Sequence, residues 1–125
     1  MKFQLKTSRF TADRLNELQT VTKITPNILA RIAVSLSISK EILEPAEVSE
    51  RNGRDFNRDT LTGEYDYMYK ALIAQHLGRE ISDEEYFPEL FNAHLERGVR
   101  ILSNEYKYSR NIENFILNLV TNKQG

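Results

Sequence analysis

Hydrophobic positions in this chain recur mostly at helical spacing, and they do so most densely in residues 24–38, ITPNILARIAVSLSI, where Arg31 is the only charge between Pro26 and Ser39. Ile28, Leu29, Ile32, Ala33 and Leu36 fall at i, i+1, i+4, i+5 and i+8, and Ala30, Val34 and Ile38 widen the stripe. A helix this apolar needs cover on more than one flank. We expect its own chain on one side and another subunit on the other. Thr25 is placed as its N-cap, Pro26 takes the first helical position where a missing N–H costs nothing, and Ile24 can staple onto Leu29.

The remaining pattern predicts a mainly α bundle of about five helices within one domain spanning residues 1–125. Phe3 and Leu5 alternate with Lys2, Gln4 and Lys6, the period of a short strand with one apolar and one basic face. Thr11 is then expected to cap a first helix, with Phe10 stapled onto Leu15 and a stripe of Leu15, Leu18 and Val21. Residues 40–60 lose periodicity at Pro45, Asn52 and Gly53 and read as a connection with a helical turn near Ala46 to Arg51. A third helix is predicted just after Gly63, carrying Tyr65, Met68, Tyr69, Leu72, Ile73 and Leu77. Ser82 and Glu85 form a capping box ahead of a turn at 83–87 and a helix from about Pro88 to Ser103, with Leu90, Phe91, Leu95, Val99 and Leu102 inward. A last helix follows Ser109 as cap, striped by Ile112, Phe115, Ile116, Leu119 and Val120, and ends in a polar tail. A strand, a helix, a brief turn and a second helix are also the opening of a ribbon-helix-helix regulator, in which two chains pair their strands in the major groove.

Composition narrows the function classes. There is no cysteine, so disulfides, thiolate nucleophiles and Cys-ligated zinc are out, and no run reaches the apolar length of a membrane span. A soluble, cytoplasmic chain without a membrane role or cofactor is expected. The formal net charge is −1, but residues 1–40 hold seven basic groups against two acidic ones, whereas residues 41–125 hold 10 against 16. That polarity points to two surfaces for two kinds of partner. Lys2, Lys6, Arg9, Arg14, Lys23 and Arg31 are the candidate phosphate contacts, with Gln4 the one side chain suited to reading a base.

Catalytic candidates are sparse. Neither His76 nor His94 stands in a nucleophile motif; His76 suits a helix C-terminus, and His94 reads as a hydrogen-bonded or surface histidine. The carboxylates around FNRDTLTGEYD (Asp55, Asp59, Glu64, Asp66) could hold magnesium for phosphodiester cleavage. The simpler reading has Asp59 capping or turning the chain, Glu64 and Asp66 in a helix's first turn, and Arg54 and Arg58 pairing with them.

TPNILARIAVSLSI, then FNRDTLTGEYD, then HLERGVRIL together resemble the DndE family of DNA sulfur-modification (phosphorothioation) proteins. The specific part is Phe56, Asn57, Arg58, Thr60, Leu61, Gly63, Glu64 and Asp66. The resemblance implies a small helical protein that forms a tetramer and binds double-stranded DNA, preferring nicked duplex. It further implies work beside an adenylyl-sulfate-reductase-like subunit and an ATPase subunit that together exchange a phosphate oxygen for sulfur. The family pattern marks no catalytic residue, so none is assigned.

Overall fold

The computed structural model describes residues 1–109 and 112–121. Strand β1 (Gln4–Lys6) leads into α1 (Arg9–Thr22) and α2 (Pro26–Lys40). Strand β2 (Asp55–Asn57) opens directly into the one-turn α3 (Arg58–Leu61), a 3-10 turn at Gly63–Tyr65 and α4 (Asp66–Leu77). A wide helical turn, Glu85–Leu90, precedes the long α5 (Phe91–Ser109), and α6 (Ile112–Thr121) follows. The architecture is mainly α, as the periodicity predicts.

The core is built where α2 crosses α5. Leu29, Ala30, Ala33 and Val34 of α2 and Leu95, Val99 and Leu102 of α5 are buried there. Gly98 explains the closeness: a Cβ at that position would stand 1.7 Å from the Ala33 carbonyl oxygen, so backbone meets backbone. This contact also selects which side of α2 turns inward. The predicted stripe keeps Leu29 and Ala33 inside, but Ile28 is 44% exposed and its inward place goes to the smaller Ala30 and Ser37.

The predicted strand exists, with Leu5 buried and Phe3 half exposed. Its partner comes from within the chain. β1 pairs antiparallel with β2, Leu5 opposite Phe56, and the ladder continues through Thr7 N–H to Arg54 O (2.9 Å) and Gly53 N–H to Thr7 O (2.9 Å). A ribbon-helix-helix dimer pairs this strand with a second chain; here the residues read as a connection supply the pairing in cis. Ala46 to Arg51, expected to hold a helical turn, form none.

Several boundaries differ for local reasons. Ser8, not Thr11, caps α1, accepting from the Thr11 N–H (3.1 Å), and Thr11 is buried three residues further on. Val21 ends up 43% exposed, whereas Leu15 and Leu18 of the same stripe are buried. The Ser82–Glu85 box forms reciprocally, Ser82 N–H to Glu85 Oε1 (2.9 Å) and Glu85 N–H to Ser82 Oγ (3.1 Å). Phe87 is extended (φ −132°, ψ 127°), so the regular helix begins at Phe91 rather than Pro88. It then runs to Ser109, which closes α5 instead of capping α6 and accepts from Asn118 Nδ2 (2.8 Å). In α6 Phe115 is buried, Leu119 partly so, and Ile116 and Val120 face out; the Ile112 side chain and the 122–125 tail lie outside the described residues.

Candidate nucleic-acid interface

The motif FNRDTLTGEYD runs through β2, α3 and the start of α4 and includes one buried arginine, Arg58. Phe56 is in the core, Asn57 caps α3 by accepting from Asp59 N–H (2.8 Å), Thr60 Oγ1 donates to Asn57 O (3.0 Å), and Leu61 is fully buried. Gly63 takes φ +52°, which costs a residue with a side chain, and lets the chain turn into α4. Arg58, 5% exposed, then reaches both Asp66 at the start of α4 and Asp83 beside the capping box.

Every donor of that guanidinium is used. Nε and Nη2 donate to Asp66 (3.1 and 2.8 Å), Nη1 and Nη2 to Asp83 (3.1 and 2.7 Å), and Nη1 also to Lys2 O (3.1 Å). The Tyr86 and Phe87 rings pack on it at 5.2 and 4.9 Å. Its pKa is raised by the Asp83 and Asp66 hydrogen bonds. Burial pushes the Asp66 carboxyl up, but bonds from Arg58, Thr62 (2.7 Å) and Tyr86 (3.0 Å) outweigh it and hold it below the ordinary range. Asp83 is lowered by its bond to Arg58. Burial first, then the Asp66 charge, raises the Tyr86 phenol.

These carboxylates clamp an arginine, the role the simpler reading gave to Arg58 and Asp66. Arg54 is instead spread over the Phe56 ring (5.3 Å), and Glu64 is exposed. Among the described residues no three His, Asp or Glu side chains are grouped as a metal would require. His94 is buried and hydrogen-bonded: its Nδ1 lies 2.9 Å from Ser37 Oγ, which also accepts from Arg97 Nε (2.8 Å). Burial, with the His76 and Arg97 charges nearby, pushes His94 down to about 3, so the ring is neutral. His76 Nε2 meets Glu41 O (2.6 Å) at the end of α4.

The six N-terminal cations divide among different settings. Lys2, Lys6, Arg9 and Lys23 are exposed, with Lys6 3.8 Å from Asp55 and Lys23 in the left-handed C-cap of α1. Gln4 shares the outward face of β1 with Lys6. Arg31 sits elsewhere, over the Tyr65 ring (5.9 Å) in an apolar groove of about 500 Å³ formed by Ile28, Ile32, Leu36, Met68 and Leu119. Arg14 turns toward α5. There Arg100 and Lys107, which the sequence reading missed, join it around Phe10, whose ring carries Arg14 at 5.4 Å and Arg100 at 4.3 Å. The overlooked signal was Arg100, Ser103, Asn104 and Lys107 at i, i+3, i+4 and i+7, one polar stripe on a helix.

The family model for DndE, "DNA sulphur modification protein DndE", matches residues 4–110. The chain belongs to the DndE family. Its fold is similar to the crystal structure of DndE from Escherichia coli B7A, a protein involved in DNA phosphorothioation modification, at 25% identity and a TM-score of 0.66, covering 79% of this chain and 96% of that one. A glycine-to-lysine DndE mutant is similar too, at 25% identity and a TM-score of 0.64, covering 83% and 99%. No curated protein matches. Family membership places the chain in DNA sulfur modification.

Proposed function

We propose that this chain is a non-catalytic DNA-binding subunit of the phosphorothioation machinery that grips nicked double-stranded DNA through its basic surface. The carrying observation is a DNA-modification family fold whose exposed Lys2, Lys6, Arg9 and Lys23 come from the same N-terminal third. Gln4 beside Lys6 is one polar side chain among cations, a surface that favours backbone grip over base reading. Assembly raises that grip, because each phosphate contact adds about 0.9 to the salt slope of binding. The apolar groove on the outer face of α2, bordered by half-exposed Ile28, Tyr65 and Met68, supports a homo-oligomer, with a tetramer as the expected state. The acidic remainder of the surface then serves the adenylyl-sulfate-reductase-like and ATPase subunits.

Binding of intact, gapped and nicked duplexes across a salt series, together with native mass determination, tests this reading. Tighter binding to nicked duplex by an oligomer is expected. Equal affinity for all three duplexes removes the nick preference, and no binding at all removes the DNA role.

A further inference from the structure

Between α1 and α5 lies a pocket of about 210 Å³ whose walls are Phe10, Arg14, Arg100, Ser103, Asn104 and Lys107. Three of those six side chains are cationic, and two more offer a hydroxyl and an amide. Glu17 is the carboxylate that pairs with this set; it holds Arg14 Nη2 at 2.7 Å and is itself mostly exposed. Arg14 Nε is buried there with no hydrogen-bond partner, and among the described residues neither Arg100 nor Lys107 has an ion-pair partner. Both guanidiniums lie over the Phe10 ring, Arg14 at 5.4 Å and Arg100 at 4.3 Å from its centroid. Converging donors held on a rigid ring, with charge left over, are what a tetrahedral oxyanion requires.

Ser103 and Lys107 also border a second pocket of about 310 Å³, whose other walls are Leu18, Val21, Tyr106 and the stem of Glu17. A cationic hollow that shares Ser103 and Lys107 with an apolar, aromatic one has the layout of a phosphate joined to a nucleoside. We infer that the α1–α5 groove is a terminal-nucleotide site: Arg14, Arg100 and Lys107 hold a phosphomonoester, and the attached nucleoside lies against Leu18, Val21 and Tyr106. A phosphomonoester carries nearly twice the charge of a backbone diester at neutral pH, so three cations prefer a strand end over continuous backbone. In the proposed DNA-binding role, on which this inference rests, the groove gives a nick a chemical signature, namely its free 5′-phosphate.

Nicked duplexes carrying a 5′-phosphate or a 5′-hydroxyl at the break separate this site from general grip. The phosphorylated nick should bind at least about tenfold more tightly. Arg100→Ala should abolish that difference while leaving the 5′-hydroxyl affinity nearly unchanged, and Lys107→Ala should reduce it. Glu17→Gln, which releases Arg14, should widen it. Circular dichroism melts confirm that each variant folds. Equal wild-type affinity for the two nicks, or equal loss on all duplexes in Arg100→Ala, overturns the inference while leaving the DNA-binding reading intact. Titration of thymidine 5′-monophosphate against thymidine, followed by amide shifts in α1 and α5, reads the pocket without any duplex: monophosphate-specific shifts support it even if duplex binding fails, and their absence overturns it.

Discussion

Two arginine clusters in this molecule use the same chemistry to opposite ends. Arg58 is buried, stacked on two rings, and has every N–H matched by an acceptor, two carboxylates included. Arg14 and Arg100 also lie over a ring, yet Arg14 meets a single exposed carboxylate and leaves its Nε unpartnered, and Arg100 has no ion-pair partner among the described residues. Ring contact is common to both. The difference lies in how much opposite charge the chain brings along, and it separates a guanidinium that holds the fold from guanidiniums left free for something else.

Removing Arg58 breaks the first cluster hardest. Arg58→Ala strands Asp66 and Asp83 without their cation, and a loss of about 3–5 kcal/mol in a urea titration is expected, with Arg58→Lys also impaired because one ammonium cannot span both carboxylates. A loss under about 1 kcal/mol would make the clamp incidental. Gly98→Ala attacks the support both clusters share, since α5 carries Arg100 and leads back to Tyr86; its Cβ collides with the Ala33 carbonyl, and a cost of about 1–3 kcal/mol or more should appear as a lowered melting midpoint.

A pH series sharpens the contrast further. His94 titrates near 3 in the fold against 6.5 ordinarily, so only the unfolded chain takes up its proton in that window. Stability is therefore full above pH 6.5 and declines as pH falls toward 3, by up to about 1.4 kcal/mol per unit. The lowered Asp66 and Asp83 have the same sign but a lower window: their contribution is present above the ordinary 3.8 and lost only as pH falls through their depressed values. Urea midpoints at pH 7 and 5 should thus differ in the native chain and much less in His94→Gln; an identical decline in both would assign the effect elsewhere.

The smallest stability effect belongs to the exposed cations. Lys2→Ala with Lys6→Ala should leave stability within about 0.5 kcal/mol, because a surface pair such as Lys6 and Asp55 contributes little. It should weaken binding to unrelated DNA sequences alike and lower the salt slope, by about 1 for each phosphate no longer neutralised. Gln4→Ala should change little; loss of a sequence preference in that variant would restore a regulator's base-reading strand.

Much of the skeleton was legible because it rests on local chemistry. Thr25 and Pro26 start α2, and Ser82 and Glu85 find each other three residues apart. What was hidden depends on distant partners. β2 carries no apolar alternation of its own and is a strand only because β1 lies beside it. A helix as apolar as α2 cannot declare which side faces inward until Gly98 arrives to choose Ala33. Averaging charge over residues 41–125 cancelled Arg100 and Lys107 against carboxylates that in space lie elsewhere, and it left Asp83 with no visible tie to Arg58. The motif around Arg58 was visible as a pattern, whereas its role as a clamp needed the fold.

The bare approach of Ala33 to Gly98 has a mechanical corollary. With no side chain as padding, α2 and α5 form a single stiff strut, its two members offset by a fixed amount. Whatever seats itself on the outer groove of α2 also dictates the position and angle of the cationic hollow on α5.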